Sequence, residues 1–266
     1  MKIQYIWQLI GISLLVSCLS LGCDRSSLQQ TIVTENLTIS AAASLKNVLV
    51  EIQSSYQQKY PHTQVTYNFA ASGTLQRQIE QGAPVDVFIT AAASKMDILE
   101  QKGLIASETR RNFLKNKLVL VVPKVSKKAK TITNFPDLAT AKITTIALGE
   151  PKSVPAGQYA QEVLAYFQIA DLVNAKAVYG KDVRQVLNYV ATGNVDAAIV
   201  YFTDVKASDR VTIVATAPEN SHSPIIYAIA VVQDSKNSKT ARQWIEFLNN
   251  PTAQTIFTRY GFLPNQ

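Results

Sequence analysis

Short apolar runs alternate with stretches of helical periodicity from residue 37 to residue 260, and this alternation limits the fold more than any other feature of the chain. Residues 37–40 read as a strand. From 45 to 60 the apolar positions Leu45, Val48, Leu49, Ile52 and Tyr56 recur at helical spacing until Pro61 stops them. Residues 64–69 alternate as a strand, 72–80 read as a helix closed by Gly82, 85–89 as a short buried strand, and 94–101 as a helix closed by Gly103. A dense β run at 118–122 follows, with a short helix at 135–138. The pattern then resumes with a strand at 143–148, a helix from Pro155 to Phe167, a strand at Val178-Tyr179, a helix at 183–192 capped by Asp182, and a strand at 196–201. A long apolar strand at 225–232 and two helices at 240–248 and 251–260 complete the chain. Strands alternating with helices predict an α/β fold with largely parallel sheets.

The pattern also echoes itself. Residues 75–89 read helix, glycine, short link, Val85-Asp86, apolar strand; residues 186–200 read helix, Gly193, short link, Val195-Asp196, apolar strand. Two lobes of similar plan are expected, one of residues 37–117 with 225–266 and one of 118–224. The long apolar strands near Leu118 and Ile225 are the expected crossings. A two-lobed α/β protein binds its ligand in the cleft, at strand carboxyl ends and helix starts.

Four helix starts carry the candidate chemistry: Ala41-Ala42-Ala43-Ser44-Leu45, Ala71-Ser72-Gly73-Thr74, Val154-Pro155-Ala156-Gly157 and Lys181-Asp182-Val183-Arg184. A helix start has unpaired N–H groups and partial positive charge, so several aimed at one point form an anion site without a cationic side chain. Ser44 and Ser72 fit such a site; plain N-capping is their other reading. The alanines around them let a ligand come close to the backbone. Ala156 and Val183 offer backbone amides, whereas Asp182 is expected to point away and cap its own helix. Tyr201, at a strand end, offers a hydroxyl, its other reading being a half-buried core tyrosine. Lys46, Arg77, Lys181 and Arg184 lie close by in sequence and are read as solvated surface.

Residues 1–22 read as a secretory signal peptide, with Met1-Lys2 in front of an apolar run ending Leu19-Ser20-Leu21-Gly22-Cys23. That ending resembles a bacterial lipobox, making Cys23 the lipidated residue and 23–36 a polar tether; an uncleaved membrane anchor is the alternative. Cys18 and Cys23 are the only cysteines, so the domain carries neither a disulfide nor an internal thiol. Loss of Lys2 with the leader lowers the formal charge from +7 to +6. A basic surface of this size steers anions or simply faces water beside a membrane. The scattered lysines argue against nucleic acid. The sequence has no Gly-x-Ser-x-Gly elbow, phosphate loop, dinucleotide fingerprint or His-Glu-x-x-His pair, which argues against an enzyme. His62 and His222 read as surface residues, and Asp86 and Asp196 as structural.

Taken in order, several motifs resemble those of the periplasmic molybdate-binding proteins of molybdate ABC transporters. They are Ala41 to Leu45, Phe69-Ala70-Ala71-Ser72-Gly73-Thr74-Leu75, the run from Arg77 to Ile89 through Asp86, Val154 to Ala160, Asp182-Val183-Arg184, Ala198 to Asp204 through Tyr201, and Arg259-Tyr260-Gly261-Phe262. The resemblance spans nearly all of the chain beyond the leader. It implies a type II periplasmic-binding-protein fold and a tetrahedral oxyanion, molybdate or tungstate, held by neutral donors. The donors carry over to Ser44, Ser72, Ala156, Val183 and Tyr201, with no protein atom ligating the metal directly and no cofactor. It further implies a monomer that serves a membrane permease from outside the cytoplasm. Sulfate or phosphate as ligand, and an oxyanion-sensing lipoprotein without a transporter, are the alternatives. Gly73 departs from the family, where a small polar residue often follows the binding serine.

Overall fold

The computed structural model describes residues 34–125, 131–206 and 208–265. The signal peptide and the lipobox Cys23 lie outside the described residues. The first half of the chain forms β1 (Glu35–Ala42), α1 (Lys46–Lys59), β2 (Thr63–Ala70), α2 (Ser72–Glu80), β3 (Val87–Thr90), α3 (Ala93–Gln101) and β4 (Arg111–Lys115). The tether expected to run to residue 36 therefore gives way to strand at Glu35. Next come β5 (Leu118–Pro123), β6 (Ile146–Gly149), α4 (Pro155–Tyr166), α5 (Ala170–Asn174), β7 (Ala177–Gly180), α6 (Val183–Ala191), β8 (Ala197–Tyr201), α7 (Phe202–Lys206) and β9 (Val211–Thr216). The chain ends with β10 (Ile226–Val231), α8 (Ser238–Leu248), α9 (Pro251–Arg259) and β11 (Leu263–Pro264).

Two sheets result, in the orders β11-β4-β10-β3-β1-β2 and β7-β6-β8-β5-β9. In the first, β1 runs parallel to β2, with Leu37 opposite Val65, and to β3, while β10 pairs antiparallel with β3 and β4. In the second, β6 runs parallel to β7 and β8, while β5 pairs antiparallel with β8 and β9. Each parallel trio is thus followed by one antiparallel strand, β10 or β5, that comes directly after a crossing of the chain. These two strands are covered on both faces, which is why β5 is apolar throughout and β10 nearly so. They are not themselves the crossings. The chain crosses just before each of them, and there Asn116 N–H bonds the Ile225 carbonyl at 3.2 Å, so the two crossing segments lie side by side.

The helices cover the sheets with the faces their apolar spacing sets. Trp244 of α8 is fully buried and meets Tyr56 of α1 edge-on, ring centroids 4.6 Å apart, which returns the C-terminal helices to the first sheet. Besides the two-residue β11, four elements escape the sequence pattern. β4 alternates charged residues around Phe113 and Leu114; β9 is a half-exposed edge strand; α5 and α7 have five residues each, too few to show a period.

The repeated aspartates do equivalent work. Asp86 accepts the Thr38 N–H at 2.8 Å and returns its own N–H to the Thr38 carbonyl. Asp196 accepts the N–H groups of Thr144 (2.8 Å) and Thr145 (3.3 Å) and returns its N–H to the Thr145 carbonyl. Asp86 fastens β1, and Asp196 the approach to β6, to the strand that follows its own echo helix. Removing the acceptor leaves a backbone donor unpaired, so Asp86→Ala and Asp196→Ala should each lower the unfolding free energy by about 1–3 kcal/mol in urea titrations. A variant as stable as the parent would show that the carboxylate is dispensable to the strand junction.

Candidate functional site

The carboxyl ends of the parallel strands face the starts of α2, α4 and α6 across a hollow of about 210 Å³, counted to its open mouth. Its lining includes Ser44, Ser72, Ala156, Val183 and Tyr201, so all five residues singled out in the sequence meet at one place. Wider hollows lie elsewhere. One of about 1160 Å³, counted to its open mouth, opens beside β1 and β3, where the Asp86 carboxylate is already occupied by Thr38, Ser235 and Asn237.

Neither serine caps its helix. The N-cap of α2 is Ala71, with no side-chain cap bond, and the Ser72 hydroxyl instead accepts the Ala91 N–H at 3.0 Å. Ser44 lies in a 3-10 turn after β1, also without a side-chain cap bond, with its oxygen 2.8 Å from the Tyr227 hydroxyl. Plain capping, the other reading of these residues, is absent.

The amide donors arise from the way two helices begin. In α4, Pro155 has no N–H, and the Gly157 and Gln158 amides turn back to the Val154 carbonyl. That leaves the Ala156 N–H as the free donor of the first turn. Gly157 is required there: a Cβ on it would come within 2.0 Å of the Gly149 carbonyl oxygen, so only glycine lets α4 start this close to β6. In α6 the Asp182 carboxylate accepts the Gln185 N–H at 2.9 Å, so this charge caps its own helix and Val183 N–H is left at the turn. Tyr201 is buried, and its hydroxyl has no hydrogen-bond partner among the described residues. Leaving such a group unpaired costs about 1–3 kcal/mol. Burial pushes the phenol well above its ordinary pKa, so the hydroxyl keeps its proton and serves as a donor.

Among the described residues, no cationic side chain lines the hollow. Lys46, Arg77 and Lys181 are exposed, as the sequence suggested. Arg184 is not. Its Nε lies 3.5 Å from Asp204 Oδ1 and 3.3 Å from the Ala43 carbonyl, and its Nη2 lies 3.5 Å from the Ser44 carbonyl. It therefore ties the second sheet's lobe to the turn that carries Ser44. Asp204 explains why: it is fully buried and needs a counter-charge, a requirement that residue spacing does not reveal. Burial raises its carboxyl to about 6, against the opposing pull of Arg184 and the Tyr201 N–H. Gly73 makes a second tie, its N–H donating to the Ser153 carbonyl at 3.0 Å. A Cβ at Gly73 would sit 2.8 Å from that oxygen and 3.0 Å from Ser153 Cα. The sequence also gave no sign of Tyr227, which sits inside an apolar strand, or of Asn116 and Thr203 behind it.

A family model described as bacterial extracellular solute-binding protein matches residues 37–263. The chain belongs to that family. It is 46% identical, over 85% of both chains, to a Bacillus subtilis (strain 168) protein provisionally named as the ABC transporter substrate-binding lipoprotein YvgL. It is 40% identical to the molybdate-binding protein ModA of Escherichia coli (strain K12), covering 85% of this chain and 88% of that one. Among solved structures it is similar to the substrate-binding domain of a provisionally assigned molybdenum ABC transporter from Clostridium difficile. The TM-score there is 0.66 at 40% identity, over 87% of this chain and 99% of that one. The family's two-lobed, type II periplasmic-binding-protein plan is the architecture seen here.

Two outcomes test this solute-binding geometry. Gly73→Ala forces a side chain against backbone of the facing lobe, an overpacking cost of about 1–3 kcal/mol, so solute affinity by calorimetry should fall about tenfold or more. Unchanged affinity would place the lobe contact elsewhere. The Asp204 carboxyl holds its proton more tightly folded than unfolded. The stability it contributes is therefore complete below the ordinary aspartate range and is lost as pH rises through about 6. Between about pH 4 and 6 the parent should lose about 1–3 kcal/mol relative to Asp204→Asn in urea titrations. Parallel pH curves for the two proteins would contradict this account of Asp204.

Proposed function

We propose that this protein is the extracytoplasmic substrate-binding component of a molybdate/tungstate ABC importer. The observation that carries the reading is the convergence of five neutral donors, Ser44 Oγ, Ser72 Oγ, Ala156 N, Val183 N and Tyr201 Oη, on one small hollow with no cation in its lining. The molybdate-binding names of its relatives supply the ligand. A tetrahedral dianion offers only acceptors, and hydrogen bonds to it are charge-assisted and about twice as strong as neutral ones. The starts of α4 and α6 add their dipoles. Molybdenum meets the protein only through its oxygens, and no cofactor takes part.

Transport follows from geometry. The lobe of residues 37–117 with 225–266 contributes Ser44 and Ser72; the lobe of 118–224 contributes Ala156, Val183 and Tyr201. The anion gains its full set of donors only when both lobes face it, so binding favours closure by that difference in contact. The closed monomer then delivers its ligand to a membrane permease, without turnover of any substrate and without nucleic acid. A lipid on Cys23 holds it at the membrane surface. No helix among the described residues is long and apolar enough to span one.

Calorimetric titration of the purified protein with molybdate, tungstate, sulfate and phosphate tests the reading. One-to-one binding of molybdate and tungstate, and not of sulfate or phosphate, is expected. Ser72→Ala should weaken molybdate binding by about 1.5–3 kcal/mol, the scale of a hydrogen bond to a charged group. Binding of sulfate or phosphate alone would overturn the ligand, and an unaffected Ser72→Ala would overturn the site.

A further inference from the structure

We propose that Asn116 and Tyr227 fix the direction of the Ser44 hydroxyl, so that Ser44 presents its proton to the ligand. The inference rests on the oxyanion reading above and adds two positioning residues to it.

A main-chain amide sets the direction of every bond in the relay. The Lys117 N–H donates to Asn116 Oδ1 at 2.9 Å. That orients the Asn116 amide, because a backbone N–H cannot accept. Asn116 Nδ2 then faces two hydroxyl oxygens, Thr203 Oγ1 at 2.9 Å and Tyr227 Oη at 3.1 Å, and donates to both. Tyr227 Oη is thus an acceptor from Asn116, and its single hydrogen is left for its remaining neighbour, Ser44 Oγ, at 2.8 Å. Ser44 Oγ accepts it. The Ser44 hydrogen, with no other partner beside it, turns toward the hollow that Ser44 lines. Burial holds the Tyr227 phenol far above its ordinary pKa, so the hydrogen that this relay needs stays in place.

The whole relay is buried: Asn116 is 8% exposed, Ser44 4%, Thr203 3% and Tyr227 0%. Water therefore does not compete for these directions, and a chain of hydrogen bonds in such a setting strengthens each member. Ser72 reaches the same polarity by a shorter route, since its oxygen accepts the Ala91 N–H directly. With both serines set as donors, and with Asp182 of the lining capping its own helix, the site turns hydrogens toward a protonated oxyanion and matches its O–H poorly, a mismatch that hydrogen-bonding sites convert into rejection. Tyr227→Phe removes the constraint and lets the Ser44 oxygen turn a lone pair toward the ligand.

The test is a double-mutant cycle in the full-length protein, with molybdate and inorganic phosphate as probes. Tyr227→Phe should weaken molybdate binding about tenfold and, in the same protein, narrow the molybdate-to-phosphate affinity ratio further through tighter phosphate binding. In a Ser44→Ala background, Tyr227→Phe should have no further effect on molybdate, because the relay acts only through that hydroxyl. Asn116→Ala, one step back in the relay, should reproduce both results and stands in should Tyr227→Phe fold poorly. Tight molybdate binding by the parent, with effects of Ser44→Ala and Tyr227→Phe that simply add, would overturn the relay alone. So would a phosphate affinity that Tyr227→Phe leaves unmoved. A parent that binds no molybdate would overturn the oxyanion reading, and the relay with it.

Discussion

An anion taken out of water must be met by fixed partial charges, and here those charges are hydroxyl and amide hydrogens. The rest of the architecture serves to hold them. Helix starts supply amides only where the strand before them ends at the right place, and this sets the carboxyl ends of the parallel strands as the floor of the hollow. Gly157 is glycine because α4 must begin against β6; a side chain there would displace the turn that frees Ala156 N–H. Asp182 caps α6 locally, so the one carboxylate beside the hollow is engaged with Gln185. The serine oxygens are occupied from behind, by Ala91 N–H and by Tyr227, which leaves their hydrogens in front.

The same need explains the return of the chain to the first sheet. β5 to β9 form the second sheet in one run, and β10 and β11 then come back to the first. Ser44 and Tyr227 stand 183 residues apart in sequence yet share a hydrogen bond, because β10 returns to the first sheet beside β3. The crossing segments pair through Asn116 and Ile225, so the polar groups behind the site are anchored where the lobes join. A hinge built of two adjacent crossing segments allows the lobes to move as bodies while the donors within each keep their geometry.

Much of this was legible in the sequence, and the limits of legibility have physical causes. The 3.6 and 2 residue periods marked α1, α2, α4, α6, β5 and β10 because each buries one continuous face or two. The echo around Asp86 and Asp196 was visible because both aspartates fasten equivalent strand ends. Ser44, Ser72, Ala156 and Val183 stood out because helix starts have a local signature of small, capping and proline residues, and Tyr201 because it ends a strand. What the pattern hid was everything defined by long-range pairing. Tyr227 reads as one more apolar residue of β10, and Asn116 as part of a polar link. Arg184 reads as surface until Asp204, twenty residues on, is seen buried beside it.

Arg184 also shows why the site can exclude cations and still sit in a basic protein. Its guanidinium lies behind the turn carrying Ser44, held to two carbonyls and to Asp204, and does not line the hollow. A cation inside the hollow would attract every small anion, with little regard for shape or protonation. Placed behind it and paired with a buried carboxylate, the same charge instead ties one lobe to the other and leaves the ligand to the directional donors. The net positive surface then acts at long range, where it raises the local anion concentration without choosing among anions. Attraction and selection are thus carried by different groups: diffuse charge brings any oxyanion near, and hydrogens of fixed direction decide which one stays.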